Sequence, residues 1–136
     1  MLKEILSVSG KPGLFKMISQ GKNMHIVESL LDGKRIPIYA RDKVVSLEDI
    51  AVYTETEELP LVTVFNNIKI KESGAAIDIK ADIEPSELRA YFEQVLPEYD
   101  KDKVYLSDMR KIMNWYNILL NAGITDFESE KKISEN

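Results

Sequence analysis

The sequence predicts an α+β fold in which a small all-β unit leads and about three helices follow. Three observations carry this reading: short strand-like runs divided by turn residues up to about residue 53, apolar residues at helical spacing after Pro60, and a change of charge between the two. Residues 1–53 sum to +2, residues 54–84 to −4 and residues 85–136 to −3, which returns the net charge of −5. The polar, acidic stretch Thr54-Glu55-Thr56-Glu57-Glu58 is the expected seam. The division is therefore a β module over residues 1–54, a helical module over 59–127 and a disordered tail over 128–136.

Within the first module, Gly10-Lys11-Pro12-Gly13 punctuates the chain. Leu14-Phe15-Lys16-Met17-Ile18-Ser19 then mixes apolar and polar residues as a half-buried strand does, and Met24 to Leu30 reads as a second strand after the turn at Gln20-Gly21-Lys22-Asn23. Asp32-Gly33 is a tight-turn dipeptide, so a hairpin to Arg35-Ile36-Pro37-Ile38-Tyr39 is expected. Pro37 lacks an N–H and argues for an edge position or a bulge. Val44-Val45 and Ala51-Val52-Tyr53 complete the set, with one helical turn at Ser46-Leu47-Glu48-Asp49 between them. Five short strands and one such turn within about fifty residues match the layout of an SH3-like small β-barrel, a closed form that removes exposed edges.

The second module is helical. Pro60 suits a first helical position, and Leu61, Val64, Phe65 and Ile68 follow at i, i+3, i+4 and i+7, with Gly74 ending the segment. Ala75 to Ile83 reads as a strand or an extended linker. Pro85 opens a second helix carrying Leu88, Tyr91, Phe92 and Val95 on one face, stopped before Pro97. The third begins at a cap, Ser107 or Asp108, and presents Met109, Ile112, Met113, Tyr116, Leu119 and Leu120 as a broad stripe, widened by Trp115, before a left-handed stop at Gly123.

Composition excludes several function classes. The chain has 136 residues, 44% hydrophobic and 30% charged, close to a soluble globular average. No apolar run reaches the length of a membrane span, and the N-terminus is too short in its apolar stretch for a signal peptide. The absence of cysteine excludes disulfides, thiolate metal sites and a cysteine nucleophile, and fits a cytoplasmic location.

Several motifs have been weighed against their chemistry. His25 is the single histidine, placed opposite the apolar face of its strand or at its edge, and a lone imidazole lacks the partner that catalysis or metal binding needs. Gly10-Lys11-Pro12-Gly13 has the wrong spacing for a phosphate loop, and Pro12 removes a donor. Asp100-Lys101-Asp102-Lys103 begins like a calcium loop, but Val104 and Tyr105 stand where a ligand and a glycine belong. Ser7, Ser9, Ser19 and Ser29 lack a nucleophile elbow. No catalytic residue, metal site or cofactor is expected, and the chain does not read as an enzyme.

The basic residues of the β module carry the functional reading. Lys11, Lys16, Lys22, Lys34, Arg35, Arg41 and Lys43 are interleaved with Phe15, His25, Tyr39 and Tyr53. Phe15, Lys16, Lys22, Lys34, Arg35 and Tyr39 are the expected contact set of a macromolecular-interaction (adaptor) module with a protein partner. Nucleic acid is the alternative partner, since positive charge beside aromatic faces also suits a nucleic-acid strand, although an acidic chain of pI near 5.0 speaks against it. A groove or homodimer face at Met109, Met113, Trp115 and Tyr116 is the alternative to core for the third helix.

Gly10-Lys11-Pro12-Gly13-Leu14-Phe15-Lys16, Ser19-Gln20-Gly21-Lys22-Asn23-Met24, Lys43 to Ile50 and Asn114-Trp115-Tyr116-Asn117 together resemble a family of small uncharacterised proteins of Bacteroidetes-type bacteria. The resemblance runs to about Phe127 and implies an SH3-like N-terminal part and a helical C-terminal part. It implies no activity and transfers no functional residue.

Overall fold

The computed structural model describes residues 2–78, 80 and 82–127. The disordered tail expected over 128–136 lies outside the described residues. After a 3-10 turn at Leu2–Glu4, the chain forms β1 (Ile5–Val8), β2 (Phe15–Gln20), β3 (Met24–Ser29), β4 (Arg35–Tyr39) and β5 (Val44–Ser46). A second 3-10 turn, Leu47–Asp49, leads to β6 (Ala51–Tyr53) and β7 (Glu58–Pro60), and then to α1 (Leu61–Lys71), α2 (Pro85–Val95) and α3 (Leu106–Asn121).

β1 to β5 form one antiparallel sheet in the order β4-β3-β2-β1-β5, and β6 and β7 form a separate two-stranded sheet. The sheet is open: β4 and β5 are its edges. The sequence reading is corrected here in two places. Ile5–Val8 is a strand, and it lies between β2 and β5; burial of all but the half-buried Ser7 leaves little period-2 alternation to read. Ala51–Tyr53 is a strand as expected, but it pairs with β7 instead of completing the first sheet. Pro37 does sit on an edge strand, where its missing N–H costs nothing. The register shift falls instead between Met17 and Ser19 of β2.

The five-stranded sheet holds its own apolar cluster of Leu6, Val8, Phe15, Val27 and Ile38, flanked by Met17, Ile36 and Val44. All five strands contribute. The larger core joins both modules: Leu2, Ile5, Leu14 and Leu47 pack with Leu61, Phe65, Leu88, Phe92, Met113 and Tyr116. Phe65, Tyr116 and Phe127 form a ring triangle with centroids 5.4–6.5 Å apart. Met109, Met113, Trp115 and Tyr116 are thus buried in the core of one chain.

The helix ends follow local chemistry. Pro60 closes β7 and stands just before α1, one residue earlier than expected. Pro85 occupies the first turn of α2 as expected. Neither Ser107 nor Asp108 caps α3: Tyr105 holds that position, and Asp108 on the first turn accepts its N–H at 3.0 Å. Gly123, at φ +81, closes the helix; Ile124 N–H reaches back to Leu119 O (2.8 Å) and Gly123 N–H to Leu120 O (2.9 Å). The Thr54–Glu58 seam is a tight turn in which Thr54 Oγ1 donates to Glu57 O and accepts from the Glu57 N–H.

Candidate functional site

Cross-strand pairing decides which of the expected contact residues share a surface. Residues directly opposite one another point to the same face. Lys16, Glu28 and Arg35 form one such row across β2, β3 and β4, and Arg35 Nε donates to Glu28 Oε1 at 3.3 Å. The next row is Ser19, Ile26 and Pro37, and beyond it Met24 faces Tyr39. Pro37 is exposed, as are Ile18 (37%), Met24 (41%) and Tyr39 (39%). A solvated face of an antiparallel sheet is ordinarily polar, so this apolar group set beside basic residues is the feature to explain.

The structure separates the other members of the set. Lys22 lies in the β2–β3 turn, next to Met24 and Tyr39, where Arg41 also stands with its guanidinium carbon 4.7 Å from the Tyr39 ring centre. Lys34 lies in the β3–β4 turn at the far end of β3, a strand about 17 Å long. The Asp32 carboxylate accepts the Lys34 N–H, which fixes that turn. Phe15 leaves the set: it is buried in the sheet's apolar cluster, opposite Leu6, and presents no ring to solvent. A one-residue difference in facing separates it from Lys16, and only the register reveals this.

His25 is a further correction. It alternates with Val27, so it points to the apolar side of the sheet and not away from it, and its Nδ1 is buried without a hydrogen-bond partner. Among the described residues there is no group of three or more His, Cys, Asp or Glu able to hold a metal ion. No described helix is long and apolar enough to cross a membrane. Two phenols titrate above their ordinary range. Burial raises Tyr91 first, reinforced by its hydrogen bond to Glu72 and by that carboxylate's charge; burial and the same charge raise Tyr116.

Sequence reasoning missed most of one concavity, to which Trp115 alone contributes among the residues offered as an alternative groove on the third helix. A cavity of about 310 Å³ opens between β6 and the start of α3, floored by Ile112 and Trp115 and rimmed by Tyr53, Lys103 and Lys111. Its residues come from both sides of the seam, so no local motif marks it.

Two family models match successive stretches of the chain. Residues 50–119 match the family described as Domain of unknown function (DUF6852), and residues 2–47 match Domain of unknown function (DUF5606). A solution NMR structure of a protein from Bacteroides vulgatus is 56% identical, with a TM-score of 0.77, over 93% of this chain and 91% of that one. The chain belongs to the DUF6852 family. Its Bacteroidetes-type resemblance is borne out by that relative. The junction between the two matches, at residues 47–50, coincides with the 3-10 turn between β5 and β6. No curated protein matches the chain.

Proposed function

We propose that this DUF6852 protein is a non-enzymatic adaptor of the cytoplasm that recognises a protein partner through the solvent-facing side of β2, β3 and β4. The observation that carries the reading is the exposed apolar group Ile18, Met24, Pro37 and Tyr39 beside Lys16, Lys22 and Arg35. Apolar area of this kind on a folded surface gains free energy by being covered, and the surrounding cations select an acidic partner. The reading takes the sheet module as a partly closed, SH3-like unit. Two features support that: β5 returns beside β1, and the apolar cluster draws on every strand.

The second reading is a partner of RNA or DNA at the same face. Tyr39 favours it, because an exposed ring with Arg41 against it combines stacking and charge. Tagged purification from the native cell at physiological salt, with and without nuclease, tests both. The adaptor reading expects a protein partner that survives nuclease and is lost from the K34E/R35E variant. Material lost on nuclease treatment supports the second reading instead. A complex unchanged in that variant removes the basic face from either.

A further inference from the structure

β6 has an unfinished edge. Towards β7, the bonds come from alternate residues: Leu61 N–H donates to Ile50 O, and Thr54 N–H to Glu57 O. Ala51 and Tyr53 therefore turn their backbone groups the other way. Pro60, which has no N–H, stands opposite Ala51, as this pattern allows. On the outer side, residues 98–100 cover the far half of the edge: Asp100 N–H donates to Tyr53 O, and Glu55 N–H to Glu98 O. The chain then turns away at Asp100–Lys103, where Lys103 and Val104 N–H both return to Asp100 O. The Tyr53 N–H and both backbone groups of Ala51 are left beyond that turn, without a backbone partner among the described residues. They border the cavity of about 310 Å³ floored by Trp115 and Ile112.

We infer that this cavity is a peptide-binding groove, in which an extended segment of an acidic partner adds to the free edge of β6 and places an apolar side chain against Trp115. The two free donors and one free acceptor recognise a backbone, which is how strand addition gains affinity, and the pocket beside them reads an alternate side chain. Charge selects the rest. Lys103 lies with its Nζ 5.0 Å from the Tyr53 ring centre, and Lys111 also lines the cavity. The lining holds one carboxylate, Asp108, which accepts from the Tyr105 N–H, so two cations stand against one anion and the balance is positive. The groove is distinct from the basic face of β2–β4, and this inference does not depend on that surface.

The test uses random heptapeptides displayed on phage, panned against the whole protein, with the recovered sequences made as free peptides. Trp115 is the single tryptophan, so its emission reports occupancy directly. Recovered peptides are expected to join an apolar residue to one or more carboxylates and to shift that emission. Methylating alternate peptide amides should weaken binding at least about tenfold, the scale of one or two net hydrogen bonds. A51P removes one of the edge's two free donors without touching the β6–β7 bonds and should act alike, while K103E/K111E should lose acidic peptides. The peptide methylation leaves the protein untouched, so the outcome does not hang on how A51P folds. Panning that enriches nothing overturns the proposal. So do peptides indifferent to amide methylation, or peptides displaced by K34E/R35E and not by K103E/K111E.

Discussion

Asn117 and Ile77 exchange two hydrogen bonds: the Ile77 N–H donates to Asn117 Oδ1 at 2.8 Å, and Asn117 Nδ2 donates to Ile77 O at 2.9 Å. One side-chain amide thereby does for a single residue what a neighbouring strand would do. Tyr116, one position earlier on α3, donates to Ala75 O at 2.9 Å. These bonds hold residues 75–77 against α3 without a sheet partner, while Ile77 is buried in the main core.

The first prediction follows from that clamp. N117A removes both bonds and leaves the backbone of a buried residue unpaired, so it should cost about 2 kcal/mol. N117D keeps the acceptor but replaces the donor by a carboxylate oxygen facing Ile77 O, and should cost at least as much at neutral pH. Urea unfolding of the variants against wild type measures this. A loss below about 0.5 kcal/mol would show that the clamp is replaceable by water.

Gly21 carries the second. It begins the β2–β3 turn, with its N–H donating to Met24 O at 2.9 Å. A Cβ built there would stand 2.5 Å from that same carbonyl oxygen, closer than van der Waals contact permits. The obstacle is backbone and cannot swing aside. G21A should therefore open the turn and destabilise the protein by about 1–3 kcal/mol. Gly10 meets nothing within 4 Å, so G10A should show only the smaller strain of its positive φ. Equal midpoints for G21A and wild type in thermal unfolding would refute the argument.

Phe127 gives the third. Its ring is buried against Phe65 and Tyr116, and Lys69, whose Nζ donates to Thr125 O at 2.7 Å, lies 5.9 Å from the Phe127 ring centre. F127A removes a whole aromatic side chain from a packed core and should cost about 3–5 kcal/mol. The same loss is expected on truncation before residue 127. A truncated chain with the stability of wild type would remove Phe127 from the core.

How much was legible from sequence depended on the range of the contacts involved. The helices, Pro85, Gly74 and Gly123 were readable because apolar spacing and end signals are local. Strands β2 to β5 were readable for the same reason. Ile5–Val8 was not, since a strand buried along most of its length lacks alternation. The partner of Ala51–Tyr53 was not, because pairing with Glu58–Pro60 instead of the first sheet is a tertiary choice. At the site, Lys16 and Arg35 were chosen rightly as surface residues, but Phe15 was assigned outward, since the register that turns it inward is not written in composition. The free strand edge beside Trp115 was invisible for a deeper reason: it consists of backbone groups, and every residue has those.

Tyr91 and Glu72 carry the last prediction, one of pH dependence. The Tyr91 hydroxyl donates to Glu72 Oε2, and the Lys71 ammonium lies 4.9 Å from the ring centre. Burial, the hydrogen bond and the carboxylate's charge raise the phenol above its ordinary 10.0, so the fold keeps a proton that the unfolded chain releases. A raised folded value contributes stability that is fully present below pH 10 and lost as pH rises above it. Wild type should therefore lose urea resistance as pH climbs past 10. In Y91F there is no phenol to ionise, so its alkaline decline should be shallower, while at neutral pH it should be about 1 kcal/mol less stable for the missing hydrogen bond. Tyr116, raised by burial and by the same Glu72 charge, keeps part of the decline in place. Unfolding midpoints measured from pH 8 to 11 decide the matter: parallel curves for Y91F and wild type would mean that the Tyr91 proton is not linked to folding.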